Sequence, residues 1–317
     1  MKRILVIKLS ALGDVVLAMA PLKRIREAHP EAEITVLTTA PYAAFFLASP
    51  YVDKVDADGR PKGLGGFLSL VRRLRRARYD RVYDLQTSDR SSTLHALLWP
   101  RRPEWSGIAP GASHPHTNPR RDFMHALEAK ADQLKEAGIW PDAPTEPGTA
   151  PPPDLSWILE DAPPERTPDH FGLVEPYALL VPGGSPHRPG KRWPVENYAA
   201  LAALLRAEGW DVGVIGGPPE RELAAAIPLA KDLTGRTDFL QIAGLGARAG
   251  LVVGNDTGPT HILAAAGAPT LCLFSSDSDP KLSAPRGARV AVLRKDQLAE
   301  LSLPEVVAEA ETLKRPA

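Results

Sequence analysis

The sequence has little cysteine, no excess charge of either sign and no long apolar runs. One cysteine among 317 residues excludes a disulfide framework and a cysteine-based metal cluster, and it fits a reducing compartment. Because 38 Lys and Arg balance 38 Asp and Glu, a chain-wide electrostatic grip on nucleic acid is excluded, although a local basic patch is not. Apolar runs such as residues 15–21 fall far short of the roughly 20 residues that cross a bilayer. Since the start also lacks the features of a signal peptide, we expect a cytoplasmic protein.

Proline, by contrast, is in excess. The chain has 33 prolines, and many of them fall between Pro141 and Pro168. Proline lacks an N–H donor and restricts the residue before it, so this stretch can be neither a continuous helix nor a central strand. A length of 317 residues suggests two domains. We therefore predict an extended connector at about residues 141–168, an N-terminal domain over 1–168 that includes it, and a C-terminal domain over 169–317.

Apolar segments on both sides of the connector alternate between short continuous runs and runs with helical spacing. The short runs predict buried parallel strands over residues 4–7, 34–37, 81–85, 178–181, 212–215, 251–253, 270–274 and 290–293. Helical spacing predicts helices over residues 15–25, 67–74, 122–138, 195–208, 220–227, 239–247, 259–266 and 304–314. Pro21 should either kink the first helix or lie in a first turn. The alternation predicts an α/β fold with two doubly wound parallel-sheet domains, which bind ligands beyond the carboxyl ends of their strands.

The loop after the first strand, residues 8–14, carries a carboxylate at the start of a helix. It has neither the G-x-G-x-x-G of a dinucleotide site nor the G-x-x-x-x-G-K-[ST] of a P-loop. Asp14 follows the flexible Gly13 and suits either of two roles. It could be a helix N-cap that accepts backbone N–H bonds, or a catalytic residue that accepts a proton. The pattern alone favours the cap.

A second loop, residues 182–194, follows a predicted strand and suits an anionic ligand. It combines glycines and Ser185 with the basic residues Arg188, Lys191 and Arg192. Glycines and bases at a strand's carboxyl end are typical of sites that hold a phosphate. A long surface loop with solvated bases would have the same composition, so both interpretations stay open.

A third loop leads into a helix rich in alanine. Thr257 and Gly258 start this helix, whose N–H groups and dipole would favour a phosphate. Asp256, just before them, could accept hydrogen bonds from sugar hydroxyls, and His261 lies one turn inside the helix. The alternative is an Asp/Thr cap followed by an ordinary helical histidine.

Three blocks in these loops stand out together, and they read Lys8-Leu9-Ser10-Ala11-Leu12-Gly13-Asp14-Val15, Gly190-Lys191-Arg192-Trp193-Pro194 and Asn255-Asp256-Thr257-Gly258-Pro259-Thr260-His261. In sequence, order and spacing they resemble glycosyltransferase family 9, the bacterial lipopolysaccharide heptosyltransferases. The segments 84–86 and 216–220 also fit, so the resemblance spans nearly the whole chain. It implies a GT-B fold, in which two Rossmann-like domains face each other across a cleft. The N-terminal domain would bind the acceptor and the C-terminal domain the nucleotide sugar.

The same resemblance implies a reaction and a set of site residues. The reaction is transfer of a sugar, typically heptose from ADP-heptose, with inversion onto the inner core of lipopolysaccharide. Asp14 would be the general base for the acceptor hydroxyl. Lys191, Thr257 and Gly258 would hold the diphosphate, Asp256 the sugar, and Glu220 or Glu222 the ribose. The full set of donor-binding candidates is Ser185, Lys191, Glu220, Asp256, Thr257, Gly258 and His261, and the acceptor-binding candidates are Lys8, Ser10, Gln86, Arg90 and His125.

One motif competes with a metal-free mechanism. Asp277-Ser278-Asp279 reads as the D-x-D that holds a divalent ion in other glycosyltransferases. It corresponds, however, to a stretch that the family ends with Asp-Pro, so we expect a loop, no metal and no cofactor beyond the ADP-sugar substrate. A helix N-terminus and an ammonium could stabilise the leaving diphosphate instead. Ser275-Ser276 replaces a common Gly-Pro pair, which leaves the donor sugar open.

A basic segment lies between residues 60 and 81, with eight Lys or Arg and the single acid Asp80. It is either a solvated face or a patch for an anionic, membrane-linked acceptor, with peripheral contact to the inner membrane surface.

Two other functions compete with a transferase. A sugar-nucleotide epimerase can share the two-domain fold and would need no acceptor. A binding protein could have kept the fold and lost turnover, although the joint presence of Asp14, Lys191 and Asp256 argues against it.

Overall fold

The structure, a computed structural model, describes residues 1–160, 162–184 and 189–315. The chain divides into two compact units, Met1–Pro151 and Pro152–Ala317, and the division falls inside the proline-rich stretch. That stretch contains short 3₁₀ turns at Ser156–Ile158, Pro164–Arg166 and Pro168–Phe171. No helix within the described ranges is long and apolar enough to cross a membrane.

The first unit contains six strands and six α-helices. Its strands are β1 (Arg3–Ile7), β2 (Glu33–Leu37), β3 (Lys54–Asp56), β4 (Arg81–Asp84), β5 (Glu104–Gly107) and β6 (His114–Pro115). Its helices are α1 (Leu12–Leu17), α2 (Met19–Ala28), α3 (Ala43–Leu47), α4 (Gly63–Ala77), α5 (Asp89–Leu97) and α6 (Ala126–Glu136). The strands pair in parallel in the order β3-β2-β1-β4-β5-β6.

The second unit repeats this plan. Its strands are β7 (Tyr177–Val181), β8 (Asp211–Val214), β9 (Lys231–Asp232), β10 (Leu251–Asn255), β11 (Thr270–Phe274) and β12 (Val290–Arg294). Its helices are α7 (Val195–Ala207), α8 (Arg221–Ala225), α9 (Phe239–Arg248), α10 (Gly258–Ala265), α11 (Pro280–Ser283) and α12 (Leu303–Leu313). The parallel order is β12-β11-β10-β7-β8-β9.

Both sheets have the Rossmann order, which confirms the predicted α/β class. In each unit the strand order reverses beside the first strand, between β1 and β4 and between β7 and β10. Loops that leave neighbouring strands in opposite directions open a crevice at such a switch point, and ligands of doubly wound sheets bind there. The loops after these four strands are therefore the place to look for a site.

Burial explains why the central strands could be predicted from the sequence. Every residue of β7, β10 and β11 is buried, as expected for strands covered on both faces. In the second unit the buried Trp193 packs edge-on against Tyr198, and its indole N–H donates to the Leu301 carbonyl at 2.7 Å. These contacts tie the loop before α7 to the core.

Some predicted elements differ from the structure. The four short strands β3, β5, β6 and β9 were not predicted, because two to four residues carry too little apolar pattern. The predicted helix over 122–138 is wrong in its first turn, since α6 begins only at Ala126 and the buried His125 is its N-cap. Pro21 lies in the first turn of α2, one of the two predicted outcomes.

Candidate active site

A buried asparagine that the sequence analysis did not single out joins the loops at the switch point of the second unit. The side-chain oxygen of Asn255 accepts hydrogen bonds from the backbone N–H of Trp193 at 3.2 Å and the Tyr198 hydroxyl at 3.0 Å. Its amide nitrogen donates to the carbonyls of Pro182 at 2.8 Å and Gly183 at 3.1 Å. Asn255 therefore fixes the loops after β7 and β10 to each other.

Close packing holds the N-terminus of α10 beside the same strand ends. A Cβ at Gly254 would lie 2.6 Å from the Thr260 hydroxyl and 2.8 Å from the Val181 Cβ, so only glycine fits there. The Thr260 hydroxyl donates to the Asn255 carbonyl at 2.8 Å. Thr257 is the N-cap of α10 without a side-chain cap bond, and Gly258 is its first helical residue, in agreement with the prediction.

Three side chains converge on the carboxylate of Asp256, whose side chain is only 10% exposed. The Lys191 ammonium lies 2.6 Å from Oδ2, and the Ser278 hydroxyl donates to the same oxygen at 2.7 Å. The His261 Nε2 lies 3.7 Å from Oδ1. Burial alone would raise the pKa of Asp256, but contacts with His261, Lys191 and Ser278 outweigh it and lower the pKa to about 2. The structure thus brings the predicted donor residues Lys191, Asp256 and His261 into one charged cluster.

The two glutamates proposed for the ribose lie in different surroundings. Glu220 accepts the Gly217 N–H at 2.8 Å and packs so closely that a Cβ at Gly183 would lie 2.9 Å from its Cγ. Glu222 lies on α8 and is exposed. Glu220 is therefore the one beside the loop after β7. Ser185, the remaining donor candidate, lies outside the described residues.

The acids of the D-x-D motif take part in local loop bonds. Asp279 is the N-cap of α11 and accepts the Lys281 N–H at 2.9 Å. The Asp277 N–H donates to the Ser275 hydroxyl at 3.3 Å. In the part of the chain that the structure describes, no group of three or more His, Cys, Asp or Glu side chains is arranged to hold a metal ion.

In the first unit, Asp14 lies at the third position of α1. The N-cap is Ala11, so the interpretation of Asp14 as the N-cap is wrong. Its carboxylate accepts the Ala11 N–H at 3.3 Å and lies 3.8 Å from the Lys8 ammonium, and the side chain is 48% exposed. An acidic side chain at the third helical position can accept the backbone N–H of the N-cap residue, which stabilises the start of the helix. Its long contacts leave the carboxylate open to other partners.

The loop that carries Asp14 is held by Gln86, from the loop after the neighbouring strand β4. The Gln86 side-chain oxygen accepts the N–H groups of Leu9 at 2.8 Å and Ser10 at 3.3 Å. The buried Asp84 in turn accepts the Gln86 N–H at 3.1 Å, and burial raises the pKa of this carboxyl. Burial also lowers the pKa of Lys8, against the raising effect of the Asp14 and Asp84 charges. Two acceptor candidates, Ser10 and Gln86, are thus in direct contact between the loops after β1 and β4.

The remaining acceptor candidates are more dispersed. The Arg90 guanidinium lies over the Phe67 ring, 5.2 Å from its centroid. His125 caps α6 and accepts the Leu127 N–H at 3.2 Å. The sequence analysis did not single out Lys130, whose ammonium donates to the Thr87 hydroxyl at 3.1 Å. Burial, reinforced by the charge of Lys8, lowers the pKa of Lys130 to about 7.

Some basic side chains of the segment over 60–81 bond to other residues of the first unit. Arg73 pairs with Asp56 and Asp58, each at 3.1 Å, and Arg75 donates to two backbone carbonyls at and just after the end of α5. Other basic side chains of the segment are exposed, and these are Arg60, Lys62, Arg72, Arg76 and Arg78. Leu64 and Leu68 are exposed on the N-terminal half of α4.

Comparisons with known proteins agree with this architecture. The family model of glycosyltransferase family 9 (heptosyltransferase) matches residues 67–309. Lipopolysaccharide heptosyltransferase 2 of Escherichia coli K12 is 27% identical, with 92% of this chain and 88% of that protein covered. Lipopolysaccharide core heptosyltransferase OpsX of Haemophilus influenzae is 24% identical over 86% of this chain and 79% of its own. The solved structure of E. coli ADP-heptose lps heptosyltransferase II superposes with a TM-score of 0.81 at 25% identity, covering 99% of this chain and 98% of that one.

Proposed function

The chain belongs to glycosyltransferase family 9 (heptosyltransferase), and from that premise we propose that it moves a heptose from ADP-heptose onto the inner core of lipopolysaccharide, with inversion. As a member of that family it is a glycosyltransferase, and the alternative function of a sugar-nucleotide epimerase is not supported. The substrates are those in the names of its relatives. The observation that carries the proposal is the cluster of Lys191, Asp256 and His261 beside the N-terminus of α10.

The donor end of the reaction is assigned to that cluster. The first N–H groups of α10 have no carbonyl partner within the helix, and the helix dipole favours an anion at this end. Lys191 adds an ammonium 2.6 Å from Asp256, so a diphosphate at Thr257 and Gly258 would share that cation. The Asp256 carboxylate, ionised at neutral pH because its pKa is about 2, can accept hydrogen bonds from sugar hydroxyls. Glu220 is the proposed contact of the ribose.

The chemical step is a single displacement at the anomeric carbon. The acceptor oxygen forms the new C–O bond as the bond to the diphosphate breaks, and ADP leaves with the bonding electron pair. The proton of the acceptor hydroxyl passes to the Asp14 carboxylate. Asp14 suits this role because its two contacts are long and its side chain is 48% exposed. Lys8, Ser10, Gln86, Arg90 and His125 remain the proposed acceptor side.

We also propose that no metal ion or cofactor takes part. The growing charge on the leaving ADP would be met by Lys191 and the N-terminus of α10, which are in place before the reaction starts. Asp279 already serves as the N-cap of α11. A metal site there would have to displace that bond.

A different nucleotide sugar is the second candidate donor, because the loop after β11 departs from the family's pattern. The Ser276 hydroxyl donates to the Asp296 carbonyl at 2.9 Å, and Ser278 donates to Asp256. The Gly-Pro pair that is usual at 275–276 could not supply the Ser276 hydroxyl. Any change of donor sugar would therefore act through this loop, which also carries the Ser278 bond to Asp256.

Contact with the inner membrane surface is the last part of the proposal. On α4, Leu64 and Leu68 are one turn apart and 74% and 41% exposed, with the exposed Lys62 and Arg72 at either end. Apolar side chains among bases are typical of helices that lie on anionic membranes. A protein that uses a lipid-linked acceptor would gain from such contact at the cytoplasmic face.

The test is a transfer assay with extracted core lipid. With ADP-heptose and an acceptor that lacks the heptose, we expect ADP release together with a lipid heavier by one heptosyl residue. ADP-, UDP-, GDP- and CDP-sugars should be compared by thermal shift, where a ligand at 100 times Kd stabilises by about 2.7 kcal/mol. ADP release without a heavier lipid, or stabilisation by a non-adenine nucleotide alone, would overturn the proposed substrates.

A further inference from the structure

A small cavity in the first unit has no role in the reaction described so far. It has a volume of about 70 Å³ and is lined by Thr87, His116, Arg121, Asp122 and Lys130, among others. A cavity needs about 10–15 Å³ of this kind of volume to hold one water molecule. This cavity therefore has room for a carboxylate or a phosphate group.

The cavity is cationic. Lys130 donates to the Thr87 hydroxyl at 3.1 Å and to the Gln133 side-chain oxygen at 3.4 Å, both of them neutral partners. Within the described residues no carboxylate oxygen lies within 4 Å of its ammonium. Arg121 is a second cation, but it is paired at 3.3 Å with the one acid of the lining, Asp122, whose side chain is 77% exposed to solvent. The net positive charge of the cavity is therefore that of Lys130.

The histidine that lines the cavity already has a carboxylate as its hydrogen-bond partner. His116 is buried, and its Nε2 lies 2.9 Å from the Asp132 carboxylate. Burial lowers the pKa of His116, although the bond to Asp132 acts in the opposite direction. The Asn118 amide also donates to Asp132 at 2.8 Å, so this acid has its own partners and does not neutralise Lys130.

The cavity belongs to the same end of the sheet as Asp14. Thr87 follows β4, and β4 pairs with β1, which leads into the loop that carries Lys8 and Asp14. The charged groups that act on Lys130 are Lys8, Asp84, Asp14 and Arg121. One acceptor molecule at this end of the sheet could therefore contact both Lys130 and the proposed base Asp14.

We propose that this cavity is the subsite for one anionic group, a carboxylate or a phosphate, of the glycan acceptor. Lys130 is its charged ligand, with the Thr87 hydroxyl and the Arg121 guanidinium as further donors. The subsite rests on the proposed function only in making the anion part of an acceptor. An anion there supplies the charged partner that Lys130 lacks, and it makes Lys130 a positioning residue for the acceptor hydroxyl at Asp14.

Binding of small anions tests the subsite without any transfer. Lys130→Met removes the charge at similar length, Lys130→Arg keeps it, and Lys135→Met is the matched control on the exposed side of the same helix. Inorganic phosphate and acetate are added separately at about pH 6, where Lys130 is protonated because its pKa is about 7. Phosphate or acetate should raise the melting temperature of the wild type, Lys130→Arg and Lys135→Met by more than that of Lys130→Met. Equal shifts in Lys130→Met and Lys135→Met would overturn the subsite.

The two probes also separate the two sources of the anion. A shift with phosphate alone assigns a phosphate group, and a shift with acetate alone assigns a carboxylate. Phosphate bound elsewhere, at the donor cluster for example, contributes equally to Lys130→Met and Lys135→Met and cancels in their difference. If no ADP-sugar is a donor but the Lys130-dependent shift is present, the proposed function fails and the subsite stands.

Kinetics then test the positioning role. In Lys130→Met the KM for the acceptor should rise about tenfold to a hundredfold, the range for losing a charge-assisted contact, while the KM for the donor stays unchanged. In the wild type, acceptor affinity should fall as the pH rises through about 7, because Lys130 then loses its proton. Lys130→Arg should bind the acceptor without that pH dependence. A pH profile identical in the wild type and Lys130→Arg would contradict the role.

Discussion

Asp14 and Asp256 are the same residue type and both lie near the switch point of a Rossmann-type sheet, yet their surroundings differ. Each follows a strand at the switch point of its unit. Asp14 has a side chain that is 48% exposed, and its two contacts are 3.3 and 3.8 Å long. Asp256 has a side chain that is 10% exposed, and Lys191 and Ser278 contact it at 2.6 and 2.7 Å.

This difference matches the two roles that we propose for these carboxylates. Protonation of Asp256 would weaken its contacts with His261, Lys191 and Ser278, which together hold its pKa near 2. It therefore acts as a fixed negative charge that orients its partners. Asp14 has no such set of short contacts, which is why we propose it, and not Asp256, as the general base.

The largest expected effect is the loss of turnover on substitution of Asp14. Asp14→Asn keeps the size and the bond to Ala11 but cannot accept a proton. If Asp14 is the general base, turnover should fall by about 10²–10⁴-fold, the range for losing such a group. Turnover is measured as ADP release at saturating donor and acceptor.

A matched carboxylate provides the control for a purely structural role. Glu305 occupies the third position of α12 and accepts the Ser302 N–H at 2.9 Å, much as Asp14 does with Ala11. Glu305→Gln should leave turnover near the wild-type value and cost only stability. An Asp14→Asn protein that behaves in the same way would remove Asp14 from the mechanism and make Asp84 and His125 the next candidates.

The second prediction concerns the cation of the donor cluster. Lys191→Ala should weaken donor binding by about tenfold to a hundredfold, because a charge-assisted contact is worth about 1.5–3 kcal/mol. Lys231 is the matched control, since it pairs with Asp211 at the other end of the same sheet. Calorimetric titration with ADP-heptose should show the loss in Lys191→Ala and not in Lys231→Ala. Equal donor affinities in both variants would show that Lys191 does not bind the diphosphate.

The third prediction is the pH dependence of stability at Asp256. Its pKa in the folded protein, about 2, lies below the ordinary value of 3.8, so the ionised carboxylate stabilises the fold wherever it is charged in the unfolded chain. Asp256→Asn should cost about 2 kcal/mol of unfolding free energy at pH 7. The difference from wild type should shrink as the pH falls from about 4 towards 2, as measured by urea unfolding. A difference that stays constant or grows over that range would contradict the assignment.

The smallest expected effect is that of metal removal. If Lys191 and α10 stabilise the leaving ADP, excess EDTA should leave turnover unchanged and added Mg²⁺ should give little gain. Loss of activity that Mg²⁺ restores would instead make Asp277 and Asp279 metal ligands and would show that the donor cluster is incomplete without an ion.

The sequence predicted the elements whose residues carry their own signal. β11 was predicted with the bounds that the structure has, because four apolar residues follow Thr270 without a break and the whole strand is buried. The N-terminus of α10 was also predicted, since Thr257 and Gly258 are typical of a helix start. Position within a first turn was harder, because an acid near a helix start suits both the N-cap and the third helical position. Asp14 was assigned to the first and occupies the second.

Residues that act through distant partners gave no such signal. Asn255 is important because its hydrogen-bond partners lie 57 to 73 residues away in the chain, and nothing in its neighbours indicates them. Lys130 is one lysine on an amphipathic helix, and its lowered pKa arises from burial and from Lys8 on another strand end. Both depend on tertiary packing, which a single sequence does not specify locally.

Donor affinity of Asp14→Asn and Asp256→Asn, measured side by side, tests most directly whether the two units divide the work as proposed. Asp14→Asn should bind ADP-heptose with the wild-type Kd while failing to transfer it. Asp256→Asn should bind it about tenfold or more weakly, since it loses a charged partner of Lys191 and of the sugar. The account would be contradicted if Asp14→Asn lost donor affinity as much as Asp256→Asn did, or if Asp256→Asn bound the donor as the wild type does.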